Sequence, residues 1–349
     1  MTAPRLLDTA VHFRFTPDDE SVTAVSLSAD PVLPGSRSFR ADDQGWLLTI
    51  PRPALQRFEY RFDVTAAGGT QTILDPDNPV AVHTAFGDRS VFEQPGYAAP
   101  SWLDGTAPEG SFEDFALSGE TVEDIPVTMW SPEGAAPSDP LPLLLVHDGP
   151  EYDRLASISR YSAVLIAAGK LPRHRLALVH PVLRDAWYSG SPRYLRSIVA
   201  AGLSELANAY ALTAPVVVMG ASLGGLTSLL VGLLGAPRVG GVFAQSGSFF
   251  HPRTDAQEST FPWFHRICEQ VRHVLDAEAA AHPLRVGMTC GALEENVANN
   301  RRVARALTRA GHDVNFTVVP DLHNYTAWRD ALDPHLTQVL RGVWGEGQG

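Results

Sequence analysis

Cysteine is scarce in this chain: of 349 residues only Cys268 and Cys290 carry a thiol. Two thiols without metal-ligand spacing exclude both a disulfide-stapled scaffold and a cysteine-built metal centre, and they read as reduced core residues. Positive charge is also short, with 27 Lys and Arg against 39 Asp and Glu and a formal net charge of −12. That balance argues against a nucleic-acid or anionic-membrane partner. No long apolar run is present. The most apolar stretch, from Leu223 to Phe243, is broken by Gly224, Gly225, Gly232, Gly235 and Pro237 and carries Arg238, so it does not read as a membrane span. The start, MTAPRLLDTAVHFRF, lacks a basic segment leading into an apolar one, and the expected location is therefore the cytoplasm. Internal repeats and low-complexity tracts are absent from the sequence.

What is there changes character along the chain. In about the first hundred residues, HFRF, AVSLSA, GWLLTI and FEYRFDV are short, partly alternating runs separated by Pro, Gly and Asp, which predicts a small antiparallel β-sandwich. Gln94 to Glu109 is rich in turn formers and reads as a linker. From about Ser111, apolar strand patterns (IPVTMW, PLLLVHD, RLALVHP, PVVVMG, VGGVFAQS, PLRVGMTCG, VNFTVVP) alternate with helix-type patterns. The helix patterns are SRYSAVLIAAGK, SPRYLRSIVAAGLSELANAYA, LGGLTSLLVGLLG, FHRICEQVRHVLDAEAAA and NNRRVARALTRAGH. Such alternation predicts a mostly parallel α/β sheet with helices on both faces. The expected domains are 1–100, a linker over 101–110, and 111–349.

Between PVVVMG and LGGLTSLLVGLLG lies Gly220-Ala221-Ser222-Leu223-Gly224, a G-x-S-x-G in the strand-to-helix context that gives this motif its meaning. Glycine at both flanks lets strand and helix approach closely around a strained turn. No G-K-[ST] follows, which removes a phosphate-binding loop. A serine needs a base and an acid to become a nucleophile. Of the downstream histidines, His323 lies in VVPDLHNYTAW, after the last predicted strand and before the last helix, where a base could reach the carboxyl edge of the sheet. For the acid, the loop GALEENVANN offers Glu294 and Glu295, with Asp321 third; spacing does not choose between the two glutamates. The oxyanion donors expected are the Leu223 amide and one from the loop HDGPEY, displaced by Pro150 to Glu151 or Tyr152.

LLLVHDGPEY, VVVMGASLGG, AQSGSFF, the G-x-x-E of Gly291 to Glu294 and the H-N-Y-x-x-W-R of His323 to Arg329 together resemble the enterochelin esterase (Fes-type) branch of the putative esterase family. The GW, FEYRFDV, LDPDNP and FGDRSVFE segments resemble the sandwich domain that precedes the catalytic domain in that branch. The chain departs from the family pattern at Leu322, Asn324 and Pro150. The resemblance implies an α/β-hydrolase fold behind an immunoglobulin-like sandwich, with Ser222 as nucleophile, His323 as base and Glu294 as acid. It implies no metal or organic cofactor and a small-molecule ester substrate, in that branch an intracellular ferric siderophore. An anionic substrate calls for basic groups, for which Arg184, Arg193 and Arg329 are candidates; Trp187, Tyr188, Phe249, Phe250, Trp263 and Tyr325 are candidate pocket aromatics. Two rival expectations stand: a general carboxylesterase or acyltransferase, and a non-catalytic protein that holds a glycan through Trp46, Tyr60 and Trp102.

Overall fold

The computed structural model describes residues 4–18, 20–30, 33–119 and 124–345. Contacts divide the chain into two compact units. One comprises Met1–Ala98 with Gly291–Glu295 and Val319–Ala327; the other comprises Ala99–Cys290, Asn296–Val318 and Trp328–Gly349.

Among its described residues, the first unit is built on the strands β1 (Arg5–Leu6), β2 (Ala10–Phe15), β3 (Ala24–Ser28), β4 (Arg40–Asp42), β5 (Gly45–Pro51), β6 (Arg57–Ala66), β7 (Gly69–Ile73), β8 (Ala81–Val82) and β9 (Arg89–Glu93). They form one sheet in the order β1-β2-β5-β4 and another in the order β3-β6-β9-β8, with β7 beside β6; the strand pairings are antiparallel. Alternation along β2 turns Val11, Phe13 and Phe15 inward, where they meet Phe58, Tyr60 and Phe62 of β6 in one buried core. Phe13 and Tyr60 meet edge to face at 5.2 Å. This is the predicted sandwich.

In the second unit, β10 (Ser111–Leu117), β11 (Ile125–Ser131), β12 (Leu141–His147), β13 (Arg175–Val179), β14 (Leu212–Ala221), β15 (Val239–Gln245), β16 (Arg285–Gly291) and β17 (Asp313–Val319) make an eight-stranded sheet. Its order is β10-β11-β13-β12-β14-β15-β16-β17, with β13 through β16 parallel along that path and β10 and β11 antiparallel. The α-helices among the described residues are α1 (Gly149–Ala156), α2 (Ile158–Ala167), α3 (Arg184–Tyr188), α4 (Pro192–Arg196), α5 (Leu203–Ala209), α6 (Leu223–Gly235), α7 (Phe264–Leu275), α8 (Val297–Arg309), α9 (Tyr325–Asp330), whose first three residues belong to the first unit, and α10 (Thr337–Trp344). Leu143 to Val146 of β12 are fully buried, as strands covered on both faces must be. On α8, Val303, Ala304, Ala306 and Leu307 are buried while Arg301, Arg302, Arg305 and Arg309 face water.

Where the structure departs from the sequence expectation, the cause is local. Both β7 and β10 lack apolar runs because they are largely exposed. The single helix expected over 191–211 is interrupted by a π-helical stretch, Ser197–Gly202, where a Cβ on Gly202 would stand 3.0 Å from Leu117 Cδ1. The α7 helix stops at Leu275 because residues 276–279 offer nothing to bury. In the segment expected as a linker, Trp102 is buried and packs edge to face on Tyr161 at 5.5 Å. Both cysteines are buried, and the Cys290 thiol donates to Asn296 Oδ1 at 3.3 Å. Among the described residues, no helix is long and apolar enough to cross a membrane.

Candidate active site

Strand β14 delivers Ser222 and α6 departs from it. Ser222 holds φ 56° and ψ −123°, a conformation costly for a residue with a Cβ and one that the surroundings must enforce. They do so by hydrogen bonds: the Ser222 amide donates to Gln245 O at 2.9 Å, and its carbonyl accepts from the amides of Ser248 at 3.0 Å and Gly225 at 3.0 Å. The flanking glycines leave little room for a side chain. A Cβ on Gly220 would stand 2.6 Å from the Gly224 carbonyl, and one on Gly224 would stand 3.2 Å from Asp148 Oδ2. Leu223 is the first residue of α6, so its amide belongs to the orphan donors of a helix N-terminus. The Ser222 Oγ stands 3.2 Å from Ser248 Oγ.

Among the described residues, three of the four non-glycine residues with positive φ, namely Asp148, Ser222 and Ser246, directly follow the carboxyl ends of β12, β14 and β15, which are neighbours in the sheet. Strain concentrated at one edge of a parallel sheet is characteristic of a functional site. Asp148 caps the entry to α1 with φ 54°, and Gly149 follows so tightly that a Cβ there would stand 2.3 Å from Leu178 Cα. The Tyr152 amide already donates to Asp148 O at 2.9 Å, which removes Tyr152 from the two oxyanion donors expected and leaves Glu151 as the one in the first turn. One carboxylate oxygen of Glu151, Oε2, is buried without a hydrogen-bond partner among the described residues.

The acid and base candidates meet directly. Glu294 is 4% exposed; its Oε1 accepts from the Gly291 amide at 2.6 Å and its Oε2 lies 2.8 Å from His323 Nδ1. A carboxylate can only accept, so Nδ1 of the neutral imidazole carries the proton and Nε2 keeps the lone pair a general base needs. Glu295 is exposed, and Asp321 turns to Arg57 Nη1 at 3.7 Å. The geometry therefore separates two adjacent glutamates that spacing left open.

Several substrate-contact candidates have structural work instead. Arg184 spends its guanidinium on Asp148 in a two-pronged pair, Nε to Oδ1 and Nη2 to Oδ2, both at 2.8 Å. Trp187 is buried and stacked on Tyr194, Tyr188 is fully buried with its hydroxyl accepting from the Asp148 amide at 3.3 Å, and Phe249 lies in the core. Arg329 pairs with Asp330, Phe250 stacks on Phe264, and Trp263 lies under Arg266. Arg193 is exposed and Tyr325 half-buried. Of the aromatics a glycan would need, Tyr60 and Trp102 are buried, Tyr60 with its hydroxyl donating to Asp75 at 2.6 Å. Among the described residues, no group of three His, Cys, Asp or Glu side chains converges to hold a metal ion.

Two neighbours escaped the sequence reading. Ser248 stands against Ser222, and the only signal for it was the AQSGSFF stretch. Arg57, on a sandwich strand, reaches Asp321 and Asn324 on either side of His323, a contact across 267 positions that no local pattern announces.

The sequence profile of the family described as putative esterase matches residues 118–339. An iron(III) enterobactin esterase of Dickeya dadantii (strain 3937) is 32% identical over 133 residues, 36% of this chain. The match spans only 29% of that relative's length. An iron(III) enterobactin esterase of Escherichia coli O6:H1 is 25% identical over 289 residues, 78% of this chain and 68% of the relative. The crystal structure of ferric enterobactin esterase from Salmonella typhimurium superposes with a TM-score of 0.76 at 19% identity, covering 95% of this chain and 93% of that one. The shared fold is that of the α/β-hydrolases, preceded by the sandwich.

Proposed function

Because the chain belongs to the putative esterase family and is a carboxylic ester hydrolase, we propose that Ser222 is its nucleophile, His323 the general base and Glu294 the acid that orients it. The observation that carries this reading is the buried Glu294 carboxylate held 2.8 Å from His323 Nδ1. Ser222 Oγ attacks the ester carbonyl as His323 Nε2 takes its proton. The tetrahedral oxyanion is met by the Leu223 amide and by the first turn of α1 at Glu151. Collapse expels the alcohol, which receives the proton from His323, and leaves an acyl-enzyme on Ser222. Water, deprotonated by His323, repeats the addition and frees the acid.

The substrate proposed is a ferric siderophore of the enterobactin type, bearing ester bonds and hydrolysed inside the cell. Support comes from the two curated relatives, both iron(III) enterobactin esterases. Half-buried Tyr325, two residues from His323, is the aromatic proposed to face it. Trp187, Tyr188 and Phe249 shape the site from the core beneath, and Arg184 acts through Asp148 rather than on the substrate.

The test is intact-protein mass spectrometry after treatment with a fluorophosphonate, beside hydrolysis of ferric enterobactin. One adduct on the native chain, absent from Ser222→Ala together with ester hydrolysis, is expected. Turnover surviving in Ser222→Ala would end the reading.

A further inference from the structure

We infer that the N-terminal sandwich holds the acid–base pair in place, with Arg57 of β6 as the positioning residue for His323; this rests on the assignment of His323 and Glu294 given above. Both loops that carry the pair, Gly291–Glu295 and Val319–Ala327, cluster with the sandwich. Each anchors itself there beside its functional residue. Leu322 precedes His323 and is 1% exposed within the sandwich core, and Leu293 precedes Glu294 and packs on the same core. The backbone is tied as well: the Gln56 amide donates to Pro320 O at 2.8 Å, and the Ala292 amide donates to Val319 O at 2.9 Å.

Arg57 fixes what these contacts leave loose. Its side chain is 2% exposed, and a buried guanidinium persists only where its donors are matched. Nη2 donates to Glu59 Oε1 at 3.0 Å, while Nη1 donates to Asn324 Oδ1 at 3.3 Å and lies 3.7 Å from Asp321 Oδ2. Burial alone would lower the pKa of Arg57, but the Asp321 and Glu59 carboxylates outweigh it and the value is raised. One side chain thus grips the residue two before His323 and the residue one after it. Asn324 Oδ1 also accepts from the Ala327 amide at 2.8 Å, linking the grip to the first turn of α9. Its Nδ2 is left buried without a partner among the described residues. Flipping the amide would turn a donor toward two donors, so the orientation is dictated by Arg57 and Ala327.

The experiment measures kcat and KM on a short-chain aryl ester, thermal melting, and the downfield proton resonance of the His323 Nδ1–H, for Arg57→Gln, Asn324→Ala and Asn324→Asp, with Ser222→Ala beside them. A loosened base costs rate without loosening substrate, so Arg57→Gln and Asn324→Ala are expected to lower kcat about 10- to 100-fold with KM changed by less than about two-fold. The Nδ1–H resonance should weaken in both. Asn324→Asp keeps an acceptor for both Arg57 and Ala327 and is expected to restore kcat and the resonance. If Arg57→Gln does not fold, the two Asn324 variants decide. Folded variants with native kcat and resonance, or a kcat that falls only with the folded fraction, would overturn the inference. Turnover in Ser222→Ala would instead remove the nucleophile assignment and, with it, the reading on which the inference stands.

Discussion

Replacing Glu294 by Gln changes one atom and separates orientation from packing. The side chain is 2% exposed, and its Oε1 accepts from the Gly291 amide, an arrangement the amide oxygen of glutamine reproduces. The nitrogen then faces His323 Nδ1, where the carboxylate oxygen stood at 2.8 Å. Two donors cannot face each other, so Nδ1 must become the acceptor and the ring proton must move to Nε2. A base whose attacking nitrogen is already protonated does not deprotonate serine, and the charge that stabilised the imidazolium is also gone. In the serine-protease triad the equivalent change costs about 10⁴ in kcat, which at about 1.4 kcal/mol per factor of ten is about 5.5 kcal/mol of barrier. We expect a loss of about 10³- to 10⁴-fold in kcat for Glu294→Gln, with melting close to that of the native protein because the volume and the Gly291 hydrogen bond are kept. Glu295→Gln, on the exposed neighbour, should stay within about 0.5 kcal/mol in stability and leave kcat nearly unchanged. Steady-state hydrolysis of an aryl ester reads both. A Glu294→Gln enzyme within about ten-fold of native kcat, or a Glu295→Gln enzyme equally impaired, would refute the orientation argument.

The Arg184→Leu change strips the 2% exposed Asp148 carboxylate of its two-pronged partner, and with Arg184 itself 35% exposed, water compensates part of the loss; a cost of about 2–4 kcal/mol in urea unfolding is expected. Adding Asp148→Asn should recover part of it, and additive losses would speak against direct pairing. Burial pushes the His147 pKa down to about 3 and that of His174 to about 4. In both cases the folded state stays neutral where the unfolded chain binds a proton below its ordinary pKa of about 6.5, so their contribution is complete above that value and is lost as pH falls toward 4 and 3. Urea unfolding at pH 5 should show about 2 kcal/mol less stability per histidine than at pH 7, and a His174→Gln protein with an unchanged slope between these pH values would contradict it.

Legibility in the sequence followed locality. The G-x-S-x-G turn could be read because strand, motif and helix are contiguous, and the observed α6 begins at Leu223 as the motif requires. Buried strands such as β12 declared themselves by continuous apolar residues, whereas β7 and β10, largely exposed, carry no such pattern. Residue type misled where a side chain had two outlets. An arginine near a cleft suggests an anionic ligand, yet the nearest anion to Arg184 is Asp148 of its own fold. Aromatics such as Trp187 and Tyr188 suggested a pocket wall and are core, since rings of that size stabilise most where they are fully enclosed.

The choice between Glu294 and Glu295 shows what composition cannot carry. Both sit in the same loop with the same charge, and only the turn closed by the Gly291 amide on Glu294 Oε1 sends one inward. That turn has its own constraint: a Cβ on Gly291 would stand 2.4 Å from Asp321 O, so the loops bearing the acid and the base touch through a backbone only glycine permits. Asp321 in turn faces Arg57, and Leu322 fills the sandwich core. The spacing from Glu294 to His323 is therefore set by contacts with residues more than two hundred positions away. A sandwich that looks in the sequence like an appended module is, in the folded chain, part of what fixes the distance between two catalytic candidates.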